Sequence, residues 1–204
     1  MTRRLSIALL LFDGVDLLDI GGPYEVFLTA NRLAARNGNP APFEVITITI
    51  DGASAEAYGG LRLQPHGDVD SADPDILVVP GLVEIGAALR DQRLLSVIES
   101  VGRKCQIVTS VCTGAFLLAA AGLLDDVTAT THFEDVEALG NLIGSANAVH
   151  ARWVDAGRVV SAGGLSNGIA MALHLVHRFH SLTLAQRTAR QIEYPWDAAE
   201  GIIT

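Results

Sequence analysis

The stretch Gln106 to Gly122, QIVTSVCTGAFLLAAAG, limits the folds open to this chain more than any other. Its first half is a short apolar run and reads as a strand. Its second half is rich in alanine and leucine and reads as a helix. Gly122 falls where a helix C-terminal cap belongs. A strand that passes almost directly into a helix is the repeating joint of α/β folds, where helices return the chain between parallel strands. Cys112 lies at the joint, in SVCTG. The spacing follows the nucleophile elbow G-x-S-x-G, with Cys in place of the serine and Ser110 in place of the first glycine. Such a turn lifts the side chain above the carboxyl end of the strand. It also sets the sulfur at a helix start, where unpaired amides and the positive end of the helix dipole favour a thiolate. A buried structural cysteine is the other reading, since free Cys is among the most buried residue types. The strand–Cys–small–Gly–helix context favours the nucleophile.

The remaining pattern agrees with an α/β chain. Leu5 to Phe12 is a continuous apolar run, as expected of a parallel strand buried on both faces. Asp16 to Gly22 then reads as a loop, with Pro23 opening a helix that stops at Asn37-Gly38. Phe43 to Ile50 is a second strand, and residues 53 to 66 read as a small antiparallel excursion. Asp75 to Val79 is a strand running into Pro80-Gly81. Residues 84 to 102 read as one or two helices, with Asp91 a cap between them. After the elbow come a short strand at Val127 to Thr130 and a short helix at Phe133 to Leu139. A hairpin follows around Asp155-Ala156-Gly157. Helices from Ser166 or Asn167 to Phe179, and from Thr183 to Ile192, complete the chain. The expected fold is a mainly parallel sheet between helices, joined by right-handed crossovers. Ligands in such sheets bind beyond the carboxyl ends of the strands. Asp16 to Gly22, Pro80 to Gly86 and Cys112-Thr113 should therefore converge.

The chain has 204 residues, half of them hydrophobic, enough for one domain over 1–204 with a sizeable core. Its net charge is −9 and Lys104 is its one lysine, which argues against nucleic acid or an anionic membrane as partner. No run approaches the ~20 apolar residues that span a membrane. Met1 to Asp16 superficially resembles a signal peptide, but its apolar run is short and no small-residue cleavage site follows. Cys105 and Cys112 sit at opposite ends of one strand and cannot bridge, which suggests a reducing compartment, the cytoplasm.

Few other residues offer chemistry. Asp19, in LLDIGGP, is either a loop acid or a carboxyl facing Cys112 across the strand ends. An ionised Asp19 beside the sulfur would raise the thiol pKa, opposing the helix terminus, and the two would share one proton and titrate as a unit. A protonated Asp19 can serve as general acid. The Pro80-Gly81 turn either aims amides at a developing negative charge or simply lets the chain leave the sheet. Thr113 can bond a substrate or cap its helix. His132, in TATTHFED, can orient the cysteine, or be an ordinary surface or core histidine. His174, His177 and His180 lack H-E-x-x-H and an interleaved acid, so no metal site is expected. Gly163-Gly164 lacks G-x-G-x-x-G and the P-loop lysine, so no nucleotide cofactor is expected either.

Taken together, LLLFDGVDLLDIGGPYEVF, ILVVPG, IVTSVCTGAFLLAAAGLLDDVTATTH, VVSAGGLSNGIAMALHL and Gln191-Ile192-Glu193-Tyr194 resemble the ThiJ/PfpI group of the class I glutamine amidotransferase-like superfamily. Within it they are most similar to the isonitrile hydratases. The resemblance implies a flavodoxin-like three-layer sandwich, a homodimer and a cysteine nucleophile, with no cofactor. It matches Cys112 to the nucleophile, Asp19 to the acid/base carboxylate and Thr113 to the threonine after the nucleophile. His132 matches a histidine whose role varies across the superfamily. The hydratases carry Pro-Gly-Gly where this chain has Pro80-Gly81-Leu82, which puts substrate identity in question. The implied reaction turns an isonitrile into an N-substituted formamide. Other readings are an amidase, peptidase or carbonyl-adduct hydrolase, a redox sensor, or a small-molecule sensor as in the regulator branch. Regulators of that branch carry a DNA-binding helix-turn-helix domain after this one. Only ten residues follow Tyr194 here, so that reading is not the expected one.

Overall fold

The computed structural model describes residues 3–204. Its strands are β1 (Leu5–Leu10), β2 (Phe43–Thr49), β3 (Ala55–Glu56), β4 (Arg62–Leu63), β5 (Gly67–Asp68), β6 (Ile76–Val79), β7 (Ile107–Val111), β8 (Trp153–Ala156), β9 (Val159–Ala162) and β10 (Ile202–Ile203). Its helices are α1 (Leu17–Arg36), α2 (Ile85–Ala88), α3 (Gln92–Lys104), α4 (Gly114–Ala120), α5 (Val136–Ile143), α6 (Asn167–Phe179) and α7 (Leu182–Gln191). Eight strands form one sheet in the order β10-β8-β9-β7-β6-β1-β2-β5, parallel except at the β8–β9 hairpin. β3 and β4 pair antiparallel, away from the main sheet.

Strand alternation builds the layers. In β1, Ile7 and Leu9 face one core while Ala8 and Leu10 face the other; in β6, Ile76 and Val78 oppose Leu77 and Val79 in the same way. On the first face the strands meet α1, α6 and α7, through Val26, Phe27, Leu173 and Leu184. On the second they meet α3, α4 and α5, through Leu94, Ile98, Leu117 and Leu139. The result is a flavodoxin-like α/β three-layer sandwich. Burial on both faces explains why the central strands are unbroken apolar runs. Among the described residues, no helix is long and apolar enough to cross a membrane.

Three local readings change. Residues 17–22 are helix, not loop: Asp16 is the N-cap, accepting from the Leu18 amide, and Pro23 lies inside α1. Gly21 and Gly22 look like loop residues, yet a Cβ on Gly22 would meet Ile169 Cγ1 at 2.8 Å. That glycine serves the close approach of α1 to α6. Val127 to Thr130 forms no strand. Ala129 alone bridges to Ala148, and the Thr130 amide donates to Ser161 Oγ instead of to a ladder. The helix expected from Phe133 begins at Val136, because residues 132–135 close a turn through the Asp135 amide and His132 carbonyl. By contrast, Asp91 caps α3 as expected, accepting from the Arg93 and Leu94 amides.

Candidate active site

β7 is fully buried and hydrogen-bonded on both sides, by β6 and β9, so its end is a fixed point. There Cys112 takes a left-handed backbone, φ 55°, uncommon for a residue with a Cβ. Several bonds hold it so. Its amide donates to the Ala162 and Gly163 carbonyls, both at 3.1 Å, and its carbonyl accepts from Thr131 Oγ1 at 2.9 Å. Gly114 follows because nothing larger fits: a Cβ there would lie 2.4 Å from the Val79 carbonyl oxygen. α4 ends in a Schellman motif, with Gly122 at φ 65° and the Leu123 amide on the Leu118 carbonyl.

The three segments do converge. The Asp16 amide donates to the Gly81 carbonyl at 2.9 Å, and Val15 bridges to Leu82. The Gly81 amide donates to Asp19 Oδ2 at 2.9 Å. Thr113 Oγ1 accepts from the Leu82 amide at 2.9 Å and donates to the Leu82 carbonyl at 2.8 Å. Thr113 therefore ties the Pro80 turn to the elbow and does not cap α4 through its side chain. The amides of Gly81 and Leu82 are both engaged, so neither points freely at an oxyanion. Leu82 is itself buried, and its side chain lines the cleft above Cys112.

Burial dominates the electrostatics. Asp19 is wholly buried, with Oδ1 unpartnered. Burial pushes its pKa from an ordinary 3.8 to about 7; the Gly81 N–H pulls the other way and the Asp16 charge adds to the rise. Burial also pushes the Cys112 thiol up, to about 11, and the charge of Asp19 adds to it. The amides of Thr113 and Leu165 stabilise the thiolate but do not outweigh those effects. The expected acidic thiol is thus corrected. The seven-residue α4 and its first amides are too little against a dry site beside a carboxyl. At neutral pH the sulfur holds its proton and Asp19 is poised to gain or lose one.

Cys112 opens into a cleft of about 280 Å³ lined by Asp16, Leu82, Val83, Thr113, His132, Glu134, Asp135 and Leu165. His132 shares this cleft without a hydrogen bond to the sulfur. Its Nδ1 faces Glu134 and Asp135 at 3.5 and 3.8 Å, and its ring lies against Gly164, where a Cβ would meet Cδ2 at 2.3 Å. Leu165 is the site residue that the sequence did not disclose: it takes φ 45°, and its amide acts on the sulfur. Gly163-Gly164 mark the loop as a place for close packing. His174 lies elsewhere, buried between Asp155, 2.7 Å from its Nε2, and the stacked ring of Trp153.

Comparison with known proteins places this arrangement. The isonitrile hydratase of Pseudomonas putida is 33% identical over 191 residues, 93% of this chain and 78% of that protein. The HTH-type transcriptional regulator GbdR of Pseudomonas aeruginosa is 28% identical over 191 residues, and the chain spans only 50% of its length. The crystal structure of a ThiJ/PfpI family protein from Pseudomonas syringae superposes with a TM-score of 0.83 at 25% identity, covering 96% of this chain and 77% of that one. The model of the DJ-1/PfpI family matches residues 5–178, and the chain belongs to that family.

Proposed function

We propose that the protein hydrates a small isonitrile to the N-substituted formamide, with Cys112 as nucleophile and Asp19 as acid/base. The observation that carries this reading is the pairing of a protonated thiol with a buried carboxyl whose pKa is about 7 and whose Oδ1 is unpartnered. An isonitrile carbon needs both a nucleophile and a proton. A thiol that keeps its proton until the substrate arrives suits addition of S–H across that carbon better than a free thiolate does. In the first step the Cys112 sulfur bonds to the carbon of R–N≡C and the thiol proton reaches the same carbon by way of Asp19. The product is a thioimidate, R–N=CH–S. In the second step ionised Asp19 takes a proton from water as its oxygen attacks that carbon, then passes the proton to nitrogen. Collapse of R–NH–CH(OH)–S breaks the C–S bond, releases R–NH–CHO and returns a proton to the sulfur. Thr113 holds the Pro80 turn and offers its amide to the sulfur. We infer a homodimer, as the resemblance implies, in a reducing compartment that keeps both cysteines free.

The test is formamide formation from cyclohexyl isocyanide by the purified protein, repeated with Cys112→Ala and Asp19→Ala. Both variants should be inactive, and full activity in either overturns the mechanism. One observation favours a second reading, a small-molecule sensor: GbdR aligns over 93% of this chain. Saturable binding of small molecules without turnover of isonitriles, amides or carbonyl adducts would favour the sensor.

A further inference from the structure

The loop Gly163–Asn167 forms one wall of the Cys112 cleft; backbone bonds hold it at Gly163, and side chains of Arg152 and Tyr194 hold it at Ser166 and Asn167. Arg152 Nε donates to Asn167 Oδ1 at 3.2 Å. Its two terminal nitrogens donate to the Glu200 carboxylate and the Tyr194 hydroxyl. Tyr194 in turn donates to the Ser166 carbonyl at 3.0 Å, and the guanidinium sits 5.6 Å from the Tyr194 ring centre. All three guanidinium nitrogens are engaged, so Arg152 is a fastener and not a free anion receptor. The loop it fastens presses directly on the elbow. The Gly163 carbonyl accepts from the Cys112 amide at 3.1 Å, and Leu165, in its left-handed conformation, lines the cleft beside the sulfur.

We propose that Arg152 and Tyr194 are positioning residues for Cys112, strapping the loop Gly163–Asn167 from the C-terminal segment so that the Leu165 amide stays aimed at the sulfur. Neither touches the thiol. A strained residue such as Leu165 keeps its conformation only where its surroundings over-determine it. Here that role falls to the backbone bonds before it, at Gly163, and to the side-chain bonds after it, at Ser166 and Asn167. The proposal rests on Cys112 being the reactive thiol but not on the isonitrile, so its test avoids substrate altogether.

The test uses protein carrying 13Cβ-labelled cysteine in a Cys105→Ala background, with the Cys112 shift titrated from neutral pH to pH 12.5, across the midpoint near 11, and the fold followed by circular dichroism at each pH. The charged groups facing the sulfur are Asp16 and Asp19 from α1 and its cap, with His132, Glu134 and Asp135 from the opposite wall. All of them are retained in the variants. Tyr194→Phe and Arg152→Lys should each raise the thiol midpoint by about half a pH unit, as expected for one weakened hydrogen bond to a thiolate. The double variant should move it no further, because the two act through one strap. Amide exchange should quicken over residues 163–167 and not in β7. An unmoved midpoint in both single variants, or shifts that add in the double variant, overturns the proposal. Arg152→Lys gives the same reading if Tyr194→Phe does not fold.

Discussion

β7 carries a cysteine near each end, and both thiols are pushed up to about 11 by burial with help from nearby carboxylates. A perturbed thiol alone therefore does not mark a reactive one. The neighbours differ. Beside Cys105 the carboxylates are Asp73 and Asp75, and Asp75 is already paired with Arg3. The Arg158 guanidinium lies against the Cys105 carbonyl and pulls that thiol back down. Beside Cys112 the carboxyl is buried, has one oxygen unpartnered, and titrates near 7. One end of the strand is a buried thiol beside an engaged guanidinium; the other is a thiol beside a buried carboxyl that titrates near neutrality.

The sharpest way to break that contrast is to remove each sulfur. Cys112→Ala should lower formamide formation by at least about a thousandfold, as loss of a nucleophile does. Cys105→Ala should leave it within about twofold, and comparable losses in both would erase the distinction. Next in size is Asp19→Asn, which keeps the shape and removes the titration. Turnover should fall about a hundredfold, the scale of a lost general acid/base. The same change should move the Cys112 midpoint down and leave that of Cys105 in place, since Asp19 raises one thiol and not the other. An unmoved Cys112 midpoint would separate the pair.

The legible part of this site was local. The elbow could be read from six or seven consecutive residues, because strand, small residue and glycine each answer to a constraint within one turn. The burial of Asp19 was not local. It follows from Gly81 donating to it and from α1 lying close on α6, a contact that made Gly22 look like a loop residue. Leu165 was illegible for another reason. A left-handed leucine has no sequence signature, since its backbone is imposed by neighbours and not by preference. β5 and β10, two residues each, are too short to show a period.

A smaller effect reads the same contrast through stability. The folded pKa of Asp19, about 7, lies above its ordinary 3.8, so folding takes up a proton. The stability linked to that proton is fully present below pH 3.8 and is lost as pH rises through 7. Asp19→Asn cannot ionise and escapes the loss. Its melting temperature should match the parent near pH 4 and exceed it by roughly 5 °C at pH 8. An equal difference at both pH values would place the effect in packing and not in charge.

The smallest effect expected is at His132, and it is the one that separates this chemistry from acyl transfer. An acyl-transfer site needs an imidazole to take the proton of the thiol. Here the ring shows Nδ1 to Glu134 and Asp135, packs close against Gly164 and at a tilt to Phe133, and makes no hydrogen bond with Cys112. It serves as a wall of the cleft. His132→Ala should raise KM by about threefold and leave kcat nearly unchanged, as expected when only uniform binding is lost. A hundredfold fall in kcat with KM intact would move the base from Asp19 to His132. The protonated thiol would then be a resting state awaiting imidazole, and the asymmetry between the two ends of β7 would have a different cause.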